Sequence, residues 1–173
     1  MATTPTHVRA AADHPTRHPD RTPRAFVLLG VGLGGFIDGI VLHQILQWHH
    51  LLSATDRHDE RTVSGLEANT LADGAFHVFA FACTLVGILA LRRMAGAGHD
   101  VGARRVMGWM LVGWGAFNLV EGVVNHHLLR LHHVRDDVDE RLPWDVGFLV
   151  LSVALVALGL GLARHDSRRG SGA

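Results

Sequence analysis

The sequence predicts an all-α membrane protein, a four-transmembrane-helix bundle, on three observations. Of its 173 residues 48% are hydrophobic, with a mean hydropathy of +0.20. The apolar residues gather in four blocks, each long enough for the roughly 20 residues that cross a bilayer. Polar, arginine-bearing connections separate these blocks.

The spans fall at residues 25–52, 66–91, 105–131 and 144–163. Residues 1–24 hold Pro5, Pro15, Pro19 and Pro23 and lack the apolar stretch and small-residue cleavage site of a signal peptide, so they read as a disordered cytoplasmic tail. Residues 164–173 read as a second cytoplasmic tail. A chain of this length leaves no room for a separate soluble catalytic domain beside four spans.

Orientation follows from arginine, because basic residues near span ends are retained in the cytoplasm. All 16 basic residues are arginine. Arg21 and Arg24 precede the first span, Arg92, Arg93, Arg104 and Arg105 lie between the second and third, and Arg164, Arg168 and Arg169 follow the fourth. Both termini are therefore expected in the cytoplasm, with the acidic connections 53–65 and 132–143 outside. That is the arrangement of a multi-pass membrane protein. The formal net charge of zero gives no reason to expect nucleic acid as a partner. The lipid bilayer is the one partner the composition requires, and a homo-oligomer is left open. Cys83, the single cysteine, offers no disulfide framework and reads as a small buried hydrophobe.

Spans one and three are related in sequence. Laying Asp38-Gly39 on Glu121-Gly122 brings His43 onto His126 and His49-His50 onto His132-His133. Spans two and four match more weakly, Asp73-Gly74-Ala75-Phe76-His77 over Asp145-Val146-Gly147-Phe148-Leu149. Two parallel two-helix repeats, related by an axis along the membrane normal, are the expected arrangement.

Ionisable residues within spans are costly, so they face the bundle interior and mark function. At about 1.5 Å per residue, His43 and His126 fall roughly 10 Å below the outer ends of their spans, and Asp38 and Glu121 roughly 18 Å below. Asp73 and His77 reach matching depths from span two. The expected metal ligands are Asp38, His43, His50, Asp73, His77, Glu121, His126 and His133, in the outer half of the bilayer, with His49, His50, His132 and His133 capping the outer surface. Imidazole with carboxylate suits zinc, copper, iron or nickel. Each residue also has a plainer role open to it: interfacial polar groups for the His-His pairs, a structural hydrogen-bond network for the acids, helix packing for Gly39 and Gly122. Trp48, Trp144 and Trp109 read as interfacial anchors. One conflict stands: Asp38 and His43, five residues apart, point about 140° from each other on an ideal helix, so both face inward only if span one is central or bent.

Three functions fit these residues. The first is binding of a transition metal, copper or zinc favoured, for handling or delivery at the outer face. The second is redox chemistry, by a di-metal centre or by a haem held between His43 and His126. The third is a proton or small-ion pathway in which Asp38, Glu121 and the histidines relay charge. Nothing in the sequence marks a quinone, oxygen or organic substrate site, and no phosphate-binding loop, nucleophile elbow or zinc-protease helix motif is present.

The strings Gly35-Phe36-Ile37-Asp38-Gly39, His43 through His50, Asp73-Gly74-Ala75-Phe76-His77, Asn118-Leu119-Val120-Glu121-Gly122 and Asn125-His126-His127 resemble a family of bacterial membrane proteins called domain of unknown function 2243. The resemblance covers about residues 26 to 163. It implies a bacterial multi-pass membrane protein. Relatives are similar in gene setting to assembly factors of caa3-type cytochrome oxidases, which implies copper delivery, with respiratory oxidase assembly proteins as partners.

Overall fold

A computed structural model of the chain describes residues 22–98 and 102–169. Among these residues it is all-helical, with four helices long and apolar enough to span a membrane. We label them α1 (Thr22–Ile37), α2 (Val63–Gly96), α3 (Ala103–Glu121) and α4 (Leu142–Arg169). Most of the expected N-terminal tail lies outside the described residues, whereas residues 164–169 continue α4.

Each helix is built around a long, mostly apolar run, and its ends are set locally. Thr62 caps α2 by accepting a hydrogen bond from the Gly65 amide at 3.1 Å. Pro143 sits in the first turn of α4, where its missing N–H costs nothing.

α1 packs on α2 and on α3, and α3 packs on α4. The two helices carrying the related histidine strings are thus central, with α2 and α4 on their flanks. Gly30 and Gly113 set the central crossing: a Cβ on Gly30 would run into the backbone carbonyl of Met110, and one on Gly113 into that of Val27. Lipid supplies no hydrophobic drive between helices, so this backbone approach is what holds α1 to α3.

Polarity is inside out. Leu71, Val78, Phe81, Val150 and Val153 are exposed, while Asp38, His43, Asn69, Asp73, Glu121, His126 and Asp145 are buried. A surface of this kind suits hydrocarbon, where polar groups must find partners within the protein.

Both central helices change geometry at their C-terminal ends. α1 continues as a π-helical segment over Asp38–Ile45, and α3 as one over Gly122–Leu128. The chain then breaks sharply, with positive φ at Gln47 (51°) and Arg130 (52°). The helices therefore stop short of the expected span ends at 52 and 131.

Candidate metal centre

The π-helical segments resolve the facing conflict. In a π-helix residue i bonds residue i+5 instead of i+4, so the fifth residue stacks nearly over the first. Asp38 and His43 accordingly meet, with His43 Nε2 3.2 Å from Asp38 Oδ2. Glu121 and His126 repeat the arrangement, Nε2 lying 3.1 Å from Oε1. Such local widenings are rare and cluster at functional sites.

The left-handed residues do the rest. A non-glycine residue in that region costs on the order of 1–3 kcal/mol and persists only where the surroundings demand it. Here Gln47 and Arg130 turn the chain back on itself, so that His49 and His132 re-enter the protein and are 2% and 0% exposed. The expected outer cap is therefore not formed by these two residues. His49 Nδ1 donates to the Val134 carbonyl at 2.9 Å, and His132 Nδ1 to the Leu51 carbonyl at 3.1 Å. With Nδ1 protonated, His49 turns an unpartnered Nε2 inward, whereas His132 Nε2 lies 2.7 Å from Glu121 Oε1. A neutral imidazole is the form that binds metal.

Two groups of ligand-bearing side chains result, Asp38 with His43 and His49, and Glu121 with His126 and His132, each with its ligand atoms within 4.8 Å of one another. All six residues are buried. The groups adjoin through the stacked His49 and His132 rings, whose centroids are 4.6 Å apart. His43 lies 4.4 Å from His49, and His126 lies 4.9 Å from His132. His49 Nε2 and Glu121 Oε2 are buried without a hydrogen bond, and His43 Nε2 has only its 3.2 Å ion-pair contact with Asp38.

Asp73 and Asp145 stand behind the imidazoles. Asp73 accepts from His43 Nδ1 at 2.9 Å, His50 Nδ1 at 2.7 Å and the Leu51 amide at 2.9 Å. Asp145 accepts from His133 Nδ1 at 2.7 Å and the Val134 amide at 3.0 Å, with His126 Nδ1 3.4 Å away. Carboxylates in this position fix the tautomer and orientation of metal-binding imidazoles.

Of the eight expected ligands, Asp38, His43, Glu121 and His126 thus lie in the two groups. Asp73, His50 and His133 lie one contact further out. His77 stands apart: its Nδ1 donates to the backbone carbonyl of Asp73 at 2.7 Å, and its ring lies near Phe36 and Phe76. The sequence reasoning does not count His49, His132 or Asp145 among the ligands, although the repeat overlay marks each of them.

No curated protein and no solved structure matches the chain. A protein-family model described as predicted membrane protein (DUF2243) matches residues 25–166, a region that takes in most of α1 and α4, all of α2 and α3, and both ligand-bearing groups. The chain therefore belongs to the DUF2243 family.

Proposed function

We propose that the protein holds a resident pair of transition-metal ions inside the membrane, one in each group of two imidazoles and a carboxylate. The observation that carries this reading is the His49 Nε2 atom, buried, without a partner and directed into the space it shares with Asp38 and His43. A buried polar group left unsatisfied costs on the order of 1–3 kcal/mol. A metal ion gives that lone pair a partner.

Charge supports the same reading. Asp38, Asp73, Glu121 and Asp145 are all buried, and their recorded partners are imidazoles and backbone or side-chain amides. Buried anions need compensation, and two divalent cations would balance four carboxylates. Two imidazoles with one carboxylate form a donor set used for catalytic zinc and non-haem iron. Imidazole also suits copper, and copper and zinc remain the favoured ions.

The depth of the groups favours a held centre over a hand-on site, because no member is open to solvent. Haem between His43 and His126 is disfavoured, since the His49 and His132 rings fill the interval between them. A continuous ion path is disfavoured by the backbone contact of α1 with α3 at Gly30 and Gly113. By the arginine rule the centre lies toward the outer face, with both termini cytoplasmic.

Titration calorimetry on metal-depleted, detergent-purified protein tests the reading. Zn²⁺ is expected to bind at two equivalents per chain. His49→Ala should lose one equivalent and His77→Leu none. Wild-type heats without saturation, or an unchanged capacity in His49→Ala, would contradict the proposal. Asp73→Asn and Asp145→Asn should keep both equivalents but weaken binding, each by about 10–100-fold, read in the same titration as a shift in Kd. Unchanged affinity in both would remove the orienting role of these acids.

A further inference from the structure

A cavity of about 400 Å³ opens between α1, α3 and α4 and reaches Asp38. At its polar end lie Asp38 and Asn118, 5% and 3% exposed, and Asn118 Oδ1 has no hydrogen-bond partner. Its walls include Trp48, Trp114 and Trp144, three of the four tryptophans of the chain. Its rim includes Ile37 and Leu151, 43% and 53% exposed, so it opens on the apolar surface that faces lipid.

The other half of the molecule contains the counterpart of this cavity, of about 510 Å³, beside Glu121, Phe76 and Phe79. The overlay that sets Asp38 on Glu121 sets Trp48 on Leu131, Trp114 on Val31 and Asn118 on Gly35. The overlay of Asp73 on Asp145 sets Trp144 on Ala72. One fold thus accommodates small or aliphatic residues at all four positions. The three indoles and the unpartnered amide belong to one half alone; the counterpart cavity is walled by Phe76, Phe79 and Phe117.

We infer that this cavity binds a lipid-soluble phenol of the quinol class, its ring against the indole-bearing walls, a hydroxyl donating to Asn118 Oδ1 or Asp38, and its apolar tail leaving past Ile37 and Leu151. A buried amide oxygen and a carboxylate are both acceptors, so the ligand must supply the donor. Indole faces favour a flat aromatic head in offset or edge contact. The volume lies within the range of small-molecule sites. At the cavity's edge Trp48 and Trp144 meet edge to face at 5.2 Å between centroids, and the Arg135 guanidinium lies 5.1 and 5.0 Å from the two rings, which fixes that wall. The inference concerns binding alone and stands apart from the metal proposal, although Asp38 belongs to both sites.

The test is tryptophan fluorescence of the full chain in phosphatidylcholine nanodiscs, titrated with a decyl-substituted ubiquinol and, separately, with its dimethyl ether, against empty nanodiscs. The quinol should quench saturably and the ether should bind about tenfold more weakly, the loss expected for a buried hydrogen bond. Asn118→Leu should weaken the quinol by a similar factor while metal content is unchanged. Equal binding of quinol and ether to the wild-type protein would overturn the inference and leave a groove for lipid tails. So would quenching no greater than partition into empty nanodiscs, or unaltered quinol affinity in a folded Asn118→Leu protein. If that variant does not fold, the ether comparison decides alone.

Discussion

Replacing His43 and His126 together by alanine is expected to leave the purified protein without stoichiometric metal, while each single variant retains the ion of the other group. His43 joins its group through Nε2, with Nδ1 held by Asp73, and His126 occupies the matching position in front of Asp145. Alanine leaves each site with one imidazole and one carboxylate, too few ligands for the three-ligand pattern of protein zinc centres. The double variant also leaves carboxylates buried without compensation, which costs several kcal/mol where partners are removed. A lower melting temperature should therefore accompany metal loss. Size-exclusion elution at the wild-type position separates lost binding from lost fold. An intact double variant with wild-type metal content would place the ions elsewhere.

The second large effect is expected at the helix crossing. Gly30→Leu with Gly113→Leu should prevent recovery of a monodisperse protein, because each side chain would have to occupy space filled by the backbone of the opposite central helix. Backbone cannot move aside as a flexible side chain can. Alanine at either position is the milder form, with an overpacking cost of about 1–3 kcal/mol, visible as a lower melting temperature in detergent. Gly74→Ala, Gly147→Ala and Gly161→Ala should be tolerated, since a Cβ at those positions meets nothing within 4 Å. Unchanged melting in Gly113→Leu would mean that α1 and α3 do not cross as described.

The helices were legible in the sequence because hydrocarbon demands long apolar runs, and such runs survive in composition alone. The site was legible in part. Asp38, His43, Glu121 and His126 stand out because charge and imidazole are costly within a span. The π-helical segments were not directly legible, since a regular helix of 3.6 residues per turn is the default for any apolar run. Their trace was the five-residue spacing of Asp38 from His43 and of Glu121 from His126, which a regular helix cannot align.

His49 and His132 escaped for a related reason. Continuing each helix to residue 52 or 131 makes them end residues, whereas the chain reverses at Gln47 and Arg130 and carries both rings inward. Nothing in glutamine or arginine signals a left-handed turn. His77 is the opposite case. Four-residue spacing puts it on one face with Asp73, but its counterpart in the overlay is Leu149, which fits a packing position better than a ligand. The same overlay pairs Asp145 with Asp73, and the structure gives the two acids matching partners. Pairwise likeness between the halves was thus a sharper guide to the site than depth along a span.

Metal content tests the central claim most directly: elemental analysis, with an absorption spectrum, of detergent-purified protein from metal-replete cells beside the His43→Ala, His126→Ala variant. The account predicts two transition-metal ions per wild-type chain and none in the variant, with the element and spectrum identifying copper, zinc or iron. Metal at background in a folded wild-type protein, or equal amounts in both proteins, would contradict it.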